Sequence, residues 1–210
     1  MNTLATGDWT AILSRLNALI FRSDDWKKDL TQEALSTRWC GLPPASESEI
    51  LEAESRLEVT LPPSYRSFLS ISNGWRPLSH FIERLLPVQQ INLFRLANPE
   101  AAKMIPEYYQ NDDFSDEDYL DYETPRHMVA LRTHYYPDSI LVGRSWGCED
   151  DMILLNPSIV FANGEWEAIF FANWLPGNQR YRSFRDLVME SVNGLERIEE
   201  ARGTRPTNSK

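Results

Sequence analysis

Cysteine is scarce in this sequence, since Cys40 and Cys148 are the only two among 210 residues. Two cysteines are too few for the disulfide framework that stabilises small secreted domains. Long apolar runs are also missing, and no stretch approaches the ~18 residues that a membrane-spanning helix needs. Residues 1–8 carry no basic region, so no secretory signal peptide is predicted. The sequence therefore predicts a protein of the reducing cytoplasm.

Positive charge is in short supply as well. The chain has 21 lysines and arginines against 31 aspartates and glutamates, which gives a net charge of −10. Nucleic-acid binding depends largely on Lys and Arg contacts to phosphates, and anionic membranes attract the same residues. The charge balance therefore argues against nucleic acid and against a membrane surface, and it makes a basic protein the expected partner.

The rest of the composition is typical of a folded domain, with 42% hydrophobic and 25% charged residues. Helical patterns come first, short strand-like runs follow, and one helix closes the chain. Strand and helix patterns do not alternate. This order predicts an α+β fold, in which N-terminal helices and a C-terminal helix pack on an antiparallel or mixed sheet of about four to six strands.

Three segments are predicted from these patterns. Residues 1–40 are a helical extension, residues 41–198 are the main domain, and residues 199–210 are a frayed tail. Apolar residues at helical spacing begin the extension, namely Trp9, Ile12, Leu13, Leu16, Leu19 and Ile20. Ser23 is the expected cap of a second helix, which runs at least to Ala34.

A compact motif follows at residues 44–75. Ser46 and Glu49 have the spacing of a capping box, which begins a short helix with a buried apolar stripe. Three acidic residues of that helix are predicted to face water: Glu52, Glu54 and Glu58.

A second helix of the motif is predicted to begin at Pro63, because proline is pre-set for the first helical turn. Asn73-Gly74 is predicted to end it by supplying a left-handed residue. The motif positions are Leu61, Pro62, Pro63, Tyr65, Phe68, Leu69, Asn73 and Gly74.

The second half of the chain contains the strand signals. Asn163-Gly164 lies between two apolar runs, which is the pattern of a β-hairpin. A closing helix is predicted from about Ser183, and Asn193-Gly194 is a candidate interruption within it.

Residues 107–123 contain eight acidic residues, no basic residue and five interleaved aromatic residues. One interpretation is a solvated insertion between strands. The other is a surface for a basic partner, which the tyrosines favour because they anchor interfaces. The candidate contacts are Tyr108, Tyr109, Asp112, Asp113, Asp116, Glu117, Asp118 and Tyr119.

A second candidate patch consists of Trp146, Glu149, Asp150 and Asp151. Trp146 lies in a turn bounded by glycines, where burial is difficult. The acidic triplet is typical of a hydrated turn, of hydrogen bonds within a turn, or of a partner contact.

Catalytic patterns are weak. Ser145 sits in a G-x-S-x-G sequence, but the residues after it predict an acidic turn and a strand where a nucleophile elbow needs a helix. All three histidines, His80, His127 and His134, precede Ser145, whereas that fold places the histidine after the serine. Cys148 lies beside three acids that disfavour its thiolate. No catalytic residue, metal site or cofactor is predicted.

The motif closely resembles that of the SUKH superfamily, which includes the fungal Smi/Knr regulators of cell-wall synthesis and many bacterial proteins. The resemblance rests on Leu-Pro-Pro-x-Tyr-x-x-Phe-Leu followed by Asn-Gly, within residues 61–74. The later order of strands, acidic turn, hairpin and closing helix also looks like the family.

The resemblance implies a non-enzymatic, protein-binding α+β domain. Bacterial members are mostly inferred to be immunity proteins, which neutralise a cognate toxin that is often a nuclease. The alternative implied by the fungal members is a regulatory scaffold. A nuclease is usually basic because it must hold phosphate, so an acidic inhibitor that occludes its active site agrees with the net charge of −10.

Overall fold

The computed structural model describes residues 6–109, 114–123, 131–145, 151–175 and 177–203. Its helices are α1 Thr6–Arg22, α2 Asp24–Lys27, α3 Gln32–Thr37, α4 Glu47–Leu57, α5 Pro63–Leu69, α6 Phe94–Ala97, α7 Pro99–Tyr108, α8 Asp116–Tyr119 and α9 Phe184–Gly203, with a 3-10 helix at Thr133–Asp138. Its strands are β1 Ile82–Leu85, β2 Asn92–Leu93, β3 Ile140–Ser145, β4 Met152–Val160, β5 Trp166–Phe171 and β6 Asn178–Tyr181.

The strands form one antiparallel sheet in the order β1-β3-β4-β5-β6, and β2 also pairs with β3. Strands β3 to β6 are consecutive along the chain and adjacent in the sheet. Helices come before the sheet and α9 closes the fold, which confirms the predicted α+β class.

Both faces of the sheet are covered, so β5 is buried along its whole length. Neighbouring residues of a strand point to opposite faces. Phe171 meets Tyr136 of the 3-10 helix, with 5.6 Å between the ring centroids. Phe170 faces the other way and lines a groove together with Leu187 of α9.

The N-terminal helix α1 shares the core of the main domain. Its six predicted apolar residues are all buried. The Trp9 ring lies 5.4 Å from Phe68 of α5 and 5.7 Å from Phe184 of α9, measured between centroids. Helix α1 therefore packs between the motif and the closing helix.

The second predicted helix is divided into α2 and α3. Thr31 starts the new helix, because its Oγ1 accepts a hydrogen bond from the Ala34 N–H at 3.1 Å. Trp26, Leu30 and Ala34 are buried, whereas Leu35 is 39% exposed. A local cap therefore changed the helix boundary and left the buried face unchanged.

The capping box of α4 is confirmed. Ser46 Oγ accepts from the Glu49 N–H at 3.3 Å, and the Glu49 carboxylate accepts from the Ser46 N–H at 2.7 Å. The exposure predicted for Glu54 is wrong. Its buried carboxylate accepts from the Leu61 N–H at 2.7 Å and binds Arg66, because the turn before α5 needs an acceptor there.

The motif residues of α5 lie where the sequence placed them, with Leu61, Tyr65, Phe68 and Leu69 buried and Pro63 in the first turn. The role predicted for Asn73-Gly74 is wrong. Helix α5 ends at Leu69, and its cap Ser70 is right-handed. Asn73 instead accepts from the Val88 N–H at 2.7 Å, so the pair joins the helical half to the sheet half.

The Asn163-Gly164 hairpin is confirmed between β4 and β5. Gly164 has a φ of +81°, which favours glycine. The Phe161 N–H donates to the Glu165 carbonyl at 2.8 Å and closes the loop.

Helix α9 runs through Asn193-Gly194 without interruption. A Cβ added at Gly194 would find its nearest heavy atom, Arg197 Nη2, at 3.7 Å, which is ordinary contact. Glycine in a helix interior costs about 0.5–1 kcal/mol relative to alanine, so Gly194→Ala is expected to raise the free energy of unfolding by about that amount. Urea denaturation measures the change, and a lower midpoint would contradict the expectation.

Candidate partner-binding surface

Two parts of the acidic segment, residues 107–109 and 114–123, are anchored on Arg132 and Thr133. Arg132 donates to the Asp116 carboxylate at 2.7 Å and to the Phe114 carbonyl at 2.8 Å. Thr133 Oγ1 donates to the Tyr109 carbonyl at 3.2 Å. Because Arg132 and Thr133 are adjacent in the chain, the two parts of the segment lie close together.

Beneath the segment, Glu167 of β5 and Arg180 of β6 form an ion pair at 2.9 Å, with both side chains 0% exposed. Tyr119 and Tyr122 donate to the Glu167 carboxylate at 3.1 and 2.7 Å, and the Asn156 amide donates at 2.9 Å. The Arg180 guanidinium lies 3.8 Å from the centroid of the Tyr119 ring. The segment therefore supplies two aromatic residues to a polar network on the sheet.

Burial raises the pKa of the Tyr119 phenol and of the Tyr122 phenol, and the nearby Glu167 carboxylate raises them further. Both phenols stay protonated and remain hydrogen-bond donors. Tyr119, which the sequence suggested as a partner contact, is fully buried and acts as an anchor. The anchoring role accounts for the presence of Tyr119, an aromatic residue that a solvated loop would not need.

Asp116, Glu117 and Asp118 remain exposed on α8. Asp118 accepts from the Ser115 hydroxyl at 2.7 Å, and the Ser115 Oγ accepts from the Asp118 N–H at 3.1 Å. These bonds and the Asp116–Arg132 pair fix the backbone that carries the three carboxylates.

Tyr108 is 81% exposed at the end of α7. Tyr109 beside it is half-buried, and its ring packs edge-on against Phe171 at 5.5 Å between centroids. The Tyr109 hydroxyl donates to the Asn173 carbonyl at 3.3 Å. An open groove of about 720 Å³ runs along these tyrosines, and the exposed Met104 also lines it. An apolar groove therefore adjoins the acidic segment.

Five candidate residues lie outside the described residues: Asp112, Asp113, Trp146, Glu149 and Asp150. Asp151 is described and buried, and its carboxylate accepts from the Trp174 Nε1–H at 3.1 Å. This bond joins Asp151 to a distant turn and does not lie within the acidic turn, and it takes Asp151 off the exposed surface.

Tyr109 and Asp151, one residue from each predicted patch, lie close together at one end of the sheet. The turn after β5 contains Asn173, which accepts from Tyr109, and Trp174, which donates to Asp151. The sequence could not show this proximity, because it depends on the pairing of β4 with β5.

Neither predicted patch includes an exposed aromatic pair that lies at the same end. Phe81 and Trp174 are 46% and 51% exposed, and their ring centroids are 4.7 Å apart. The Leu-Pro-Gly that follows Trp174 was the available signal, because a tryptophan beside a turn is difficult to bury.

The structure gives little support to a catalytic site among the described residues. Ser145 is buried in β3 opposite Ile82 of β1. His80 stacks on Trp26 at 4.4 Å, and burial lowers the pKa of its imidazole. Burial raises the pKa of the Cys40 thiol to about 12. Within the described ranges, no three His, Cys, Asp or Glu residues are grouped as metal ligands.

No described helix has the length and apolar content needed to cross a membrane. A helical motif, four consecutive antiparallel strands and a closing helix define an α+β domain, and its acidic segment is anchored on β5 and β6.

The sequence matches the family model of the SMI1 / KNR4 family (SUKH-1) over residues 44–190, which spans the motif, the sheet and the start of α9. The chain belongs to the SMI1 / KNR4 family. This family is generally non-catalytic. A search of curated proteins finds no match.

Proposed function

We propose that this protein is a bacterial immunity protein, which binds a cognate basic toxin and occludes its active site. The observation that supports the proposal is the set of exposed carboxylates on α8, held in place by Arg132 and by the buried anchor Tyr119. A toxin that acts on nucleic acid holds phosphates with Lys and Arg. Fixed carboxylates present the same negative charge to those side chains.

Preorganisation is the physical advantage of this arrangement. A surface that is ordered before binding loses less conformational entropy when the complex forms. Negative charge on a −10 protein also steers a basic partner during encounter. We therefore expect rapid association that slows as salt concentration rises.

Co-expression tests the proposed function. The chain is produced in a bacterial host together with the catalytic domain of the toxin encoded by the neighbouring gene. Growth is expected when both are present and arrest when the toxin is alone. Arrest in both cases, with soluble immunity protein present, would contradict the proposal.

Charge neutralisation tests the surface itself. The variant Asp116→Asn/Glu117→Gln/Asp118→Asn is expected to associate with the toxin about 10-fold more slowly at low salt, and with a flatter salt dependence. The control Asp29→Asn/Glu33→Gln/Glu52→Gln removes three exposed charges elsewhere and so changes the net charge equally. Stopped-flow rates at several salt concentrations compare the two. Equal rates would show that α8 is not the contact.

A regulatory scaffold is the second candidate function, because the family description names SMI1 and KNR4. Deletion of the gene separates the two. A growth or wall defect without any toxin would support the scaffold, whereas a defect that requires the toxin would support immunity.

A further inference from the structure

The Phe81–Trp174 pair forms the mouth of a separate groove of about 200 Å³ between the sheet and α9. The floor is Phe170, whose ring centroid lies 6.3 Å from that of Phe81. The α9 side includes Leu195 and Ile198. Since Trp174 is held by the buried Asp151, its half-exposed ring is fixed in position.

The rim of this groove carries one ion pair. Glu190 and Arg197 of α9 both line it, their charged groups lie 2.6 Å apart, and both side chains are about half-exposed or more. A carboxylate has lone pairs for more than one guanidinium. The groove thus offers apolar aromatic faces for an aliphatic stem and a carboxylate for a positive head group.

We infer that the groove bounded by Phe81, Trp174 and Glu190 takes an arginine side chain of the basic toxin. This inference rests on the proposed function and names a second part of the contact surface. Arginine suits the groove because its planar guanidinium stacks on aromatic rings and pairs with carboxylates. Asn173, which precedes Trp174 in the chain, lines the other groove beside Tyr108.

A second copy of the chain is a less compatible occupant, because it would bring another net charge of −10 to the interface.

The test uses the full chain labelled with 5-fluorotryptophan, with the Trp174 resonance identified by its loss in Trp174→Phe. The probe is the peptide acetyl-Gly-Arg-Gly-amide, and its control carries neutral citrulline in place of arginine. The arginine peptide is expected to shift the Trp174 resonance saturably and to bind roughly 2- to 5-fold more tightly than the citrulline peptide through its cation–π contact. Phe81→Ala should reduce the shift, and Leu51→Ala, at an exposed site on α4, should leave it unchanged.

Equal binding of both peptides, or no shift with either, would overturn the inference. A Trp174 resonance that depends on protein concentration alone would also overturn it, in favour of a second copy. If Phe81→Ala neutralises the toxin normally and the peptides fail to bind, the groove assignment fails while the immunity function stands. If the arginine peptide binds and no toxin is neutralised, the groove assignment stands and the immunity function fails.

Discussion

Arg180→Leu is expected to lower the free energy of unfolding by about 3–5 kcal/mol, because it leaves the Glu167 carboxylate charged in a site without solvent. The substitution also removes the cation that lies over the Tyr119 ring. Tyr119, Tyr122 and Asn156 still donate to Glu167, but neutral donors do not replace a positive charge. Urea denaturation followed by tryptophan fluorescence measures the loss.

The matched control is Arg15→Leu, which breaks the surface pair Arg15–Glu196. That pair has nearly the same N–O distance, 2.8 Å against 2.9 Å, but its side chains are 43% and 35% exposed. Exposed pairs contribute about 0–1 kcal/mol, so the control should change little. Adding Glu167→Gln to Arg180→Leu should recover part of the stability by removing the unpaired charge. Equal losses of stability in Arg180→Leu and Arg15→Leu would show that the buried ion pair contributes no more to stability than the exposed one.

Gly74→Ala is the other substitution with a large expected effect, about 2–6 kcal/mol of lost stability. Gly74 has a φ of +112°, which side-chain-bearing residues rarely adopt, and that strain costs about 1–3 kcal/mol. An added Cβ would also lie 3.0 Å from the Leu85 carbonyl oxygen and 3.2 Å from Leu42 Cδ1. Crowding in a packed interior costs about 1–3 kcal/mol more.

The measurement for Gly74→Ala is again the urea midpoint, with Gly194→Ala as the control of opposite sign. Both variants add one methyl group, but at Gly194, within a helix, that group meets only an ordinary contact at 3.7 Å. We expect the first to destabilise the protein and the second to stabilise it. A neutral result at Gly74 would show that the backbone there relaxes to a conformation that alanine accepts.

Local patterns in the sequence predicted the parts of the fold that neighbouring residues decide. The apolar spacing of α1, the capping box of Ser46 and Glu49, and the turn at Gly164 each depend on residues within a few positions of one another. Such features can be recognised from propensity and spacing alone.

The predictions that failed concern polar groups whose partners are distant in sequence. Glu54 was expected in water, yet it caps the turn before α5. Asn73-Gly74 was expected to end a helix, yet it contacts the segment before α4 and the loop after β1. A prediction from hydrophobicity places acidic and amide side chains in water. Only the folded chain shows which of them accept hydrogen bonds from buried donors.

The candidate surface was only partly predicted, because its polar contacts also join residues that are distant in sequence. The acidic run and its tyrosines were visible in the sequence, whereas the division into buried anchors and exposed carboxylates was not. That division depends on Glu167 and Arg180, which belong to two neighbouring strands.

The docking of the acidic segment also bears on the order in which the chain folds. Tyr119 and Tyr122 are separated by 48 and 45 residues from Glu167, while β3 to β6 pair with their neighbours along the chain. Contacts between residues this distant in sequence carry a loop-closure cost that the hairpin pairing of β4 with β5 does not, so we expect the segment to dock after that hairpin has formed. Substitutions in the segment should then accelerate unfolding more than they slow folding.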